Sequence, residues 1–364
     1  MERRPLAHLA LLTALAVALT GCSTTQTGTR SAGGTATASP AATAPSSPLP
    51  VEGEVAALEA AYERVIGNVL PSIVQINTAT GLGSGVVYDT AGHIVTNAHV
   101  IGDATRFEVT LASGGAPRPA RLVESFELGD LAVIKVDDPS GLSPARFGDS
   151  ARLRVGQIVL AMGNPLGLSG SVTNGIVSAL GRTVTEPQAE GSPGATITNA
   201  IQTSAAINPG NSGGALVNLS GEVIGIPTLA ATNPELGGGA APGIGFAIPS
   251  NTVTDIAGQI IRDGEVTNTR RAALGVSVQT VVGPEGGAVG VGVARVTPGG
   301  GADKAGIEPG DVIVSVNGTK TATTQALSEV LATLKPGDRA EVGLLRPDGS
   351  TTTVTVTLGQ LSEN

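Results

Sequence analysis

The chain has 364 residues, 52 of them glycine, with 41% hydrophobic and 14% charged residues and a formal net charge of -9 at pH 7. That length suits two or three domains, and so much glycine with so little charge suits many short strands and turns better than long helices. The acidic balance, without a lysine or arginine cluster to neutralise phosphates, argues against nucleic acid as a partner. One cysteine and three histidines leave no intramolecular disulfide and no metal set, and no cofactor is expected.

From the N-terminus, Arg3 and Arg4 give a basic start, Leu9 to Leu19 form an apolar run too short to span a bilayer comfortably, and Leu19-Thr20-Gly21-Cys22 is similar to a bacterial lipobox. The likeness implies a signal peptide over residues 1–21 and lipidation of Cys22, which would anchor the chain to the outer face of the bacterial cytoplasmic membrane. The plainer reading is an ordinary secretory signal or an uncleaved anchor with a chance cysteine. Residues 22–50 are Thr, Ser, Ala, Gly and Pro with almost no large apolar side chain, so they cannot bury enough surface to fold and read as a tether.

A domain is expected over residues 51–264. It opens with a helix from about Glu52 to Asn68, striped by Val55, Leu58, Tyr62, Val65, Ile66 and Val69 and stopped by Pro71. Strands separated by glycine-rich turns follow. His93 comes directly after the turn signal Asp89-Thr90-Ala91-Gly92 and reads as the surface start of a strand. His99 follows that apolar run in Val-Thr-Asn-Ala-His-Val and is the better candidate for a base. Asp130 precedes the alternating strand Leu-Ala-Val-Ile-Lys-Val. Taken alone, such an aspartate is far more often a turn residue at a strand entry.

Gln202 to Gly214 reads Gln-Thr-Ser-Ala-Ala-Ile-Asn-Pro-Gly-Asn-Ser-Gly-Gly, which places Ser212 among glycines that only a tightly turned backbone needs. A hydroxyl attacks a carbonyl only when a base takes its proton, and His99 with Asp130 supplies the base and its orienting acid. Amides of Gly210 and Ser212 would then hold the developing oxyanion. Ser250 or Asn251 is placed to cap a last helix carrying Val253, Ile256, Ile260 and Ile261, with Gly264 at its end.

A polar link over residues 265–271 leads to a second unit, 272–361. Its segment Gly301 to Gly318 contains a short helical turn stopped by Gly306, a Pro-Gly turn, a strand and an Asn-Gly hairpin signal. A helix follows with Leu327, Val330, Leu331 and Leu334 at core spacing, and Leu274-Gly275 opens an alternating strand from Val276 to Val278.

The first unit resembles the HtrA/Deg family of trypsin-like serine proteases, and the second resembles the PDZ domains of bacterial proteases. The resemblance is carried by the three candidate segments and by Gly83-Ser84-Gly85-Val86-Val87, Met162 to Leu168, Val172 to Ser178, Gly221 to Ile226 and Gly243 to Pro249, in the family's order and near its spacing. Ser204, Ala215 and Pro227 depart from the usual aspartate, proline and uninterrupted strand.

It implies a mostly β fold: a chymotrypsin-like double antiparallel β-barrel followed by a small α+β PDZ domain. It also implies peptide hydrolysis outside the cytoplasm through an acyl-enzyme on Ser212, acting on misfolded or regulatory proteins. Asn211 stands where digestive enzymes pair an aspartate with a newly cut N-terminus, so control would fall to loop ordering around Gly163 to Thr173 and Gly181 to Thr196. Ile207 and Leu229 are candidates for a pocket taking small aliphatic side chains. Leu274, Gly275, Val276, Leu327 and Leu331 are candidates for a groove that takes unfolded or C-terminal peptide segments by strand addition. Homotrimer formation is a further implication, without large cages, because the loop between Ile76 and Gly83 is short. The rival reading is a catalytically inactive, membrane-tethered peptide-binding or chaperone-like protein.

Overall fold

The computed structural model describes residues 53–79, 81–164, 170–186, 195–208, 210–233, 239–283 and 286–361. The signal segment, Cys22 and the tether lie outside the described residues, as do parts of both expected control loops. No described helix is long and apolar enough to cross a membrane.

Helix α1 (Gly53–Val69) buries Val65 and Val69, while the outer half of its apolar stripe stays in solvent, with Val55 64% and Leu58 40% exposed. Pro71, which has no N–H to continue the α ladder, lies in a 3-10 turn (Leu70–Ser72) that feeds the first strand.

Six strands then close a barrel: β1 (Ile73–Asn77), β2 (Leu82–Val87), β3 (His93–Thr96), β4 (Arg106–Leu111), β5 (Arg118–Phe126) and β6 (Leu131–Val136), with the one-turn helix α2 (Ala98–Ile101) between β3 and β4. Their order around the barrel is β1-β2-β3-β6-β5-β4, every pair antiparallel.

A second closed barrel repeats the plan with β7 (Ile158–Gly163), β8 (Ser171–Glu186), β9 (Ala195–Thr203), β10 (Ala215–Asn218), β11 (Val223–Asn233) and β12 (Gly239–Pro249), in the order β10-β11-β12-β9-β8-β7. Pro227 sits inside β11, where the register against β12 shifts between Pro227 and Ala230. A shift of this kind is where a strand tolerates a residue with no ladder donor.

Strand β6 shows how the sequence builds both layers. Ala132, Ile134 and Val136 enter the core of the first barrel, and Leu131 and Val133 face the apolar layer between the barrels. Helix α3 (Ser250–Asp263) adds Val253, Ile256, Ala257 and Ile260 to that layer and ends at Gly264 in the left-handed region.

The expected cap differs. The N-cap is Pro249, and the two polar side chains instead tie the helix to the preceding loop, Ser250 Oγ donating to Gly148 O (2.7 Å) and Asn251 Oδ1 accepting from Ser150 N (3.1 Å).

The PDZ-like unit comprises β13 (Ala272–Ala273), β14 (Val276–Val282), β15 (Ala288–Val296), α4 (Gly301–Lys304), β16 (Val312–Val316), β17 (Thr319–Lys320), α5 (Thr324–Leu331), β18 (Arg339–Leu345), β19 (Thr351–Thr357) and β20 (Gly359–Gln360). Asn317 and Gly318, both at positive φ, make the hairpin turn the sequence signals, and Thr323 Oγ1 caps α5 by accepting from Ala326 N (3.1 Å).

The polar link is held on both sides. Arg270 is bidentate on Asp255 of α3 (2.6 and 3.0 Å), and Arg271 donates to Thr196 O and stacks 5.6 Å over the Phe126 ring. Thr269 Oγ1 donates to Leu361 O (2.6 Å), and β13 pairs with β20. Residues 51–364 form one compact unit.

Candidate active site

The seam between the barrels brings the three candidate residues together. Asp130 ends a 3-10 turn in the left-handed region (φ 53°), a conformation aspartate tolerates better than most residues, and this turns its carboxylate inward to 2% exposure. A carboxylate so buried needs donors. It has them: His99 Nδ1 lies 2.9 and 3.0 Å from the two oxygens, His99 N donates at 3.0 Å, and the Thr228 hydroxyl donates to Oδ2. Asn97 Nδ2, just before the His99 turn, donates to the Asp130 carbonyl at 2.9 Å, so backbone and side chain are both pinned.

Ser212 stands in a turn whose backbone needs positive φ at Gly210 (104°) and Gly213 (77°). A Cβ on Gly213 would come within 2.2 Å of the Ser84 carbonyl and 2.3 Å of Thr96 Oγ1, so only glycine lets the turn sit this close to the first barrel. The amides of Asn211, Gly213 and Gly214 donate to Asn208 O, Pro227 O and Asn211 O, whereas those of Gly210 and Ser212 have no acceptor among the described residues. The Ser212 hydroxyl donates its one hydrogen to Thr228 O at 3.0 Å. Thr228 therefore touches both ends of the constellation, its hydroxyl on Asp130 and its carbonyl on Ser212. No local sequence signal marks it, since its role depends on β11 passing beneath both residues.

Other expectations are corrected. His93 does begin β3, but it is only 8% exposed and its Nδ1 lies 2.6 Å from Asp89 Oδ2. Burial works against ionisation of Asp89, yet hydrogen bonds from the His93 ring and backbone outweigh it, together with the Ala91 amide, and hold the carboxyl below its usual range. Ile207 is 8% exposed and packs with the second-barrel core, where the missing side chain of Gly245 makes room for it. Leu229 is in β11, and its side chain lies outside the described residues. Asn211, 2% exposed, donates from Nδ2 to Ala206 O at 3.0 Å, a neutral bond within the nucleophile segment.

The candidate groove residues also meet. A cavity of about 710 Å³ is lined by Leu274, Gly275, Val276, Leu327 and Leu331, together with Leu128, Thr185 and Thr196 of the barrels. Leu274 and Leu327 are largely core, at 2% and 3% exposure. Gly275 has φ 80°, and the carbonyls of Leu274 and Gly275 accept from Ala302 N and Thr297 N (both 2.9 Å). Among the described residues, strand β14 lies at the edge of its sheet and pairs only with β15.

Residues 83–226 match the model of the trypsin-like peptidase domain, and residues 272–358 that of the PDZ domain. The HtrA-type protease AlgW, solved with a decapeptide, is 31% identical with a TM-score of 0.56, and the alignment covers 83% of this chain and 99% of that one. A serine endoprotease from Yersinia pestis is 36% identical with a TM-score of 0.55, covering 83% and 98%. The chain belongs to the DegP/HtrA family of trypsin-like serine proteases. Among curated members, the periplasmic serine endoprotease DegP of Escherichia coli is 42% identical over 78% of this chain and 58% of its own length. The serine protease PepD of Mycobacterium tuberculosis is 38% identical over 83% of this chain and 66% of its own. The chain thus spans roughly three fifths of the DegP and PepD relatives it matches.

Proposed function

We propose that the protein is a serine endopeptidase working outside the cytoplasm on misfolded or regulatory proteins. The observation that carries this is the buried Asp130 carboxylate holding the His99 ring at the seam, with the Ser212 turn beside it and two amides of that turn unengaged among the described residues. In the reaction, Ser212 Oγ turns from Thr228 O to His99, gives up its proton to the imidazole and bonds the scissile carbonyl carbon. The carbonyl π electrons move onto oxygen, where the Gly210 and Ser212 amides stabilise the charge. Collapse of the adduct expels the amine with the proton His99 took, leaving an ester on Ser212. Water, deprotonated by the same imidazole, then hydrolyses that ester. This chemistry uses no cofactor. The test is casein hydrolysis with and without a fluorophosphonate: block of hydrolysis with the adduct on Ser212 supports the reading, and undiminished hydrolysis by fully labelled protein refutes it.

The PDZ-like unit serves, in this reading, to recruit C-terminal peptide segments along the open edge of β14, with the amides of Leu274 and Gly275 taking the terminal carboxylate and the cleft beside Leu327 and Leu331 taking an apolar last side chain. The free β14 edge and the positive φ of Gly275 support it. In the full-length Ser212→Ala protein, a peptide with a free C-terminus is expected to bind at least tenfold more tightly than its amidated twin. Equal affinities would remove carboxylate capture.

Residues 1–22 support anchorage of the mature chain through a lipidated Cys22. Two or three acyl chains, at roughly 0.8 kcal/mol per buried CH₂, hold a protein to a membrane where one does not. Mass spectrometry of the mature N-terminus is expected to show the acylated cysteine, lost in Cys22→Ser, and an unmodified start downstream of Cys22 would refute it. The exposed Val55 and Leu58 of α1 are apolar surface that the expected homotrimer would cover. Light scattering that gives a monomer mass would refute that assembly.

A further inference from the structure

The second strand of the first barrel carries Ser84, which has no solvent exposure and uses every polar group it owns. Its hydroxyl donates to Gly210 O at 2.5 Å and accepts from Asn164 N at 2.8 Å. Its amide donates to Ser212 O at 3.0 Å, and its carbonyl accepts from Thr96 Oγ1 at 2.7 Å. Two of these four bonds end on the carbonyls of Gly210 and Ser212, the residues whose amides have no acceptor among the described residues.

Glycines clear the ground around this junction. A Cβ on Gly163 would lie 2.6 Å from Gly210 O, and one on Gly83 would lie 2.5 Å from a methyl of Val100, the residue after His99. Strand β2 thus meets the turn bearing Ser212 through Ser84 and the helix bearing His99 through Gly83.

We infer that Ser84 is a positioning residue for oxyanion stabilisation, an inference that rests on the peptidase reading above. It holds the Gly210 and Ser212 carbonyls on one side of the turn so that both amides stay presented to the developing negative charge. A hydroxyl is required because one atom must both donate to Gly210 O and accept from Asn164 N. Alanine would leave two buried polar groups unpaired and free the turn to rotate. Because Ser84 touches no substrate, its loss acts where charge develops in the transition state and leaves ground-state binding alone.

The experiment compares full-length wild type with Ser84→Ala on an internally quenched peptide. It adds two ligands of one sequence, a peptide boronate that forms a tetrahedral adduct on Ser212 and a peptide amide that cannot. The expected result is a kcat lower by about 10- to 100-fold with a parallel loss of boronate affinity, while KM and amide affinity stay within about twofold. Ser84→Cys, which keeps a weak donor at similar volume, is expected to show the same split and serves if Ser84→Ala does not fold. An unchanged kcat, or a KM that rises in step with the loss, overturns the role of Ser84 while the wild type remains active. A wild type that neither cleaves the peptide nor reacts with a fluorophosphonate overturns the peptidase reading, and this inference with it.

Discussion

Ser212→Ala is expected to lower kcat for casein by about 10⁴- to 10⁶-fold without unfolding the chain, and His99→Ala to do nearly the same. The two losses should not add, because each side chain works only through the other: without the imidazole the hydroxyl keeps its proton, and without the hydroxyl the imidazole has nothing to deprotonate. The fold should survive, since among the described residues the Ser212 hydroxyl bonds only the Thr228 carbonyl. Hydrolysis assays and thermal melts on purified variants check both parts. A Ser212→Ala protein that cleaves casein near the wild-type rate would sink the assignment.

Asp130→Asn is expected to lower kcat by about 10⁴-fold while the chain stays folded. The carboxylate accepts from the His99 ring, the His99 amide and the Thr228 hydroxyl, three donors around two oxygens. A carboxamide of the same shape offers one acceptor oxygen and turns an NH₂ toward groups that are themselves donors. The imidazole relieves the clash by moving its proton from Nδ1 to Nε2, and a ring protonated at Nε2 cannot take the proton from Ser212. Stability should fall by about 1 to 3 kcal/mol for the donor left unpaired. If Asp130→Asn keeps more than a tenth of the wild-type kcat at neutral pH, the tautomer argument is wrong.

Much of this was legible in the sequence, and the boundary between what was and what was not follows chain distance. His99, Asp130 and Ser212 each sit in a short segment that declares its geometry: a histidine after an apolar strand, an aspartate before an alternating one, a serine among glycines. Both barrels and the PDZ-like unit followed from strand spacing and the family resemblance. Thr228 was silent, and Ser84 stood out only as part of a family segment, because their partners Asp130 and Gly210 lie 98 and 126 residues away across the seam.

His93 reads as a surface residue because a turn precedes it, yet the same turn supplies the Asp89 carboxylate that makes its burial tolerable. Ser250 and Asn251 look like helix caps by residue type, but the Gly148–Ser150 loop lies close enough to claim their side chains.

The link between the two folded units, bonded to α3 at one end and to the last strand at the other, bears on how the molecule comes apart. A slack connection would let the smaller unit melt independently. Here separation breaks the Arg270–Asp255 fork, the stacking of Arg271 on Phe126 and the Arg271 bond to the Thr196 carbonyl in one event. Phe126, on which Arg271 stacks, also begins the turn that presents Asp130. Both tyrosines, Tyr62 and Tyr88, lie in the larger unit, and there is no tryptophan. Their intrinsic fluorescence therefore reports the barrels alone, and whether it shifts when the smaller unit is unfolded selectively measures how far the two share a single cooperative transition.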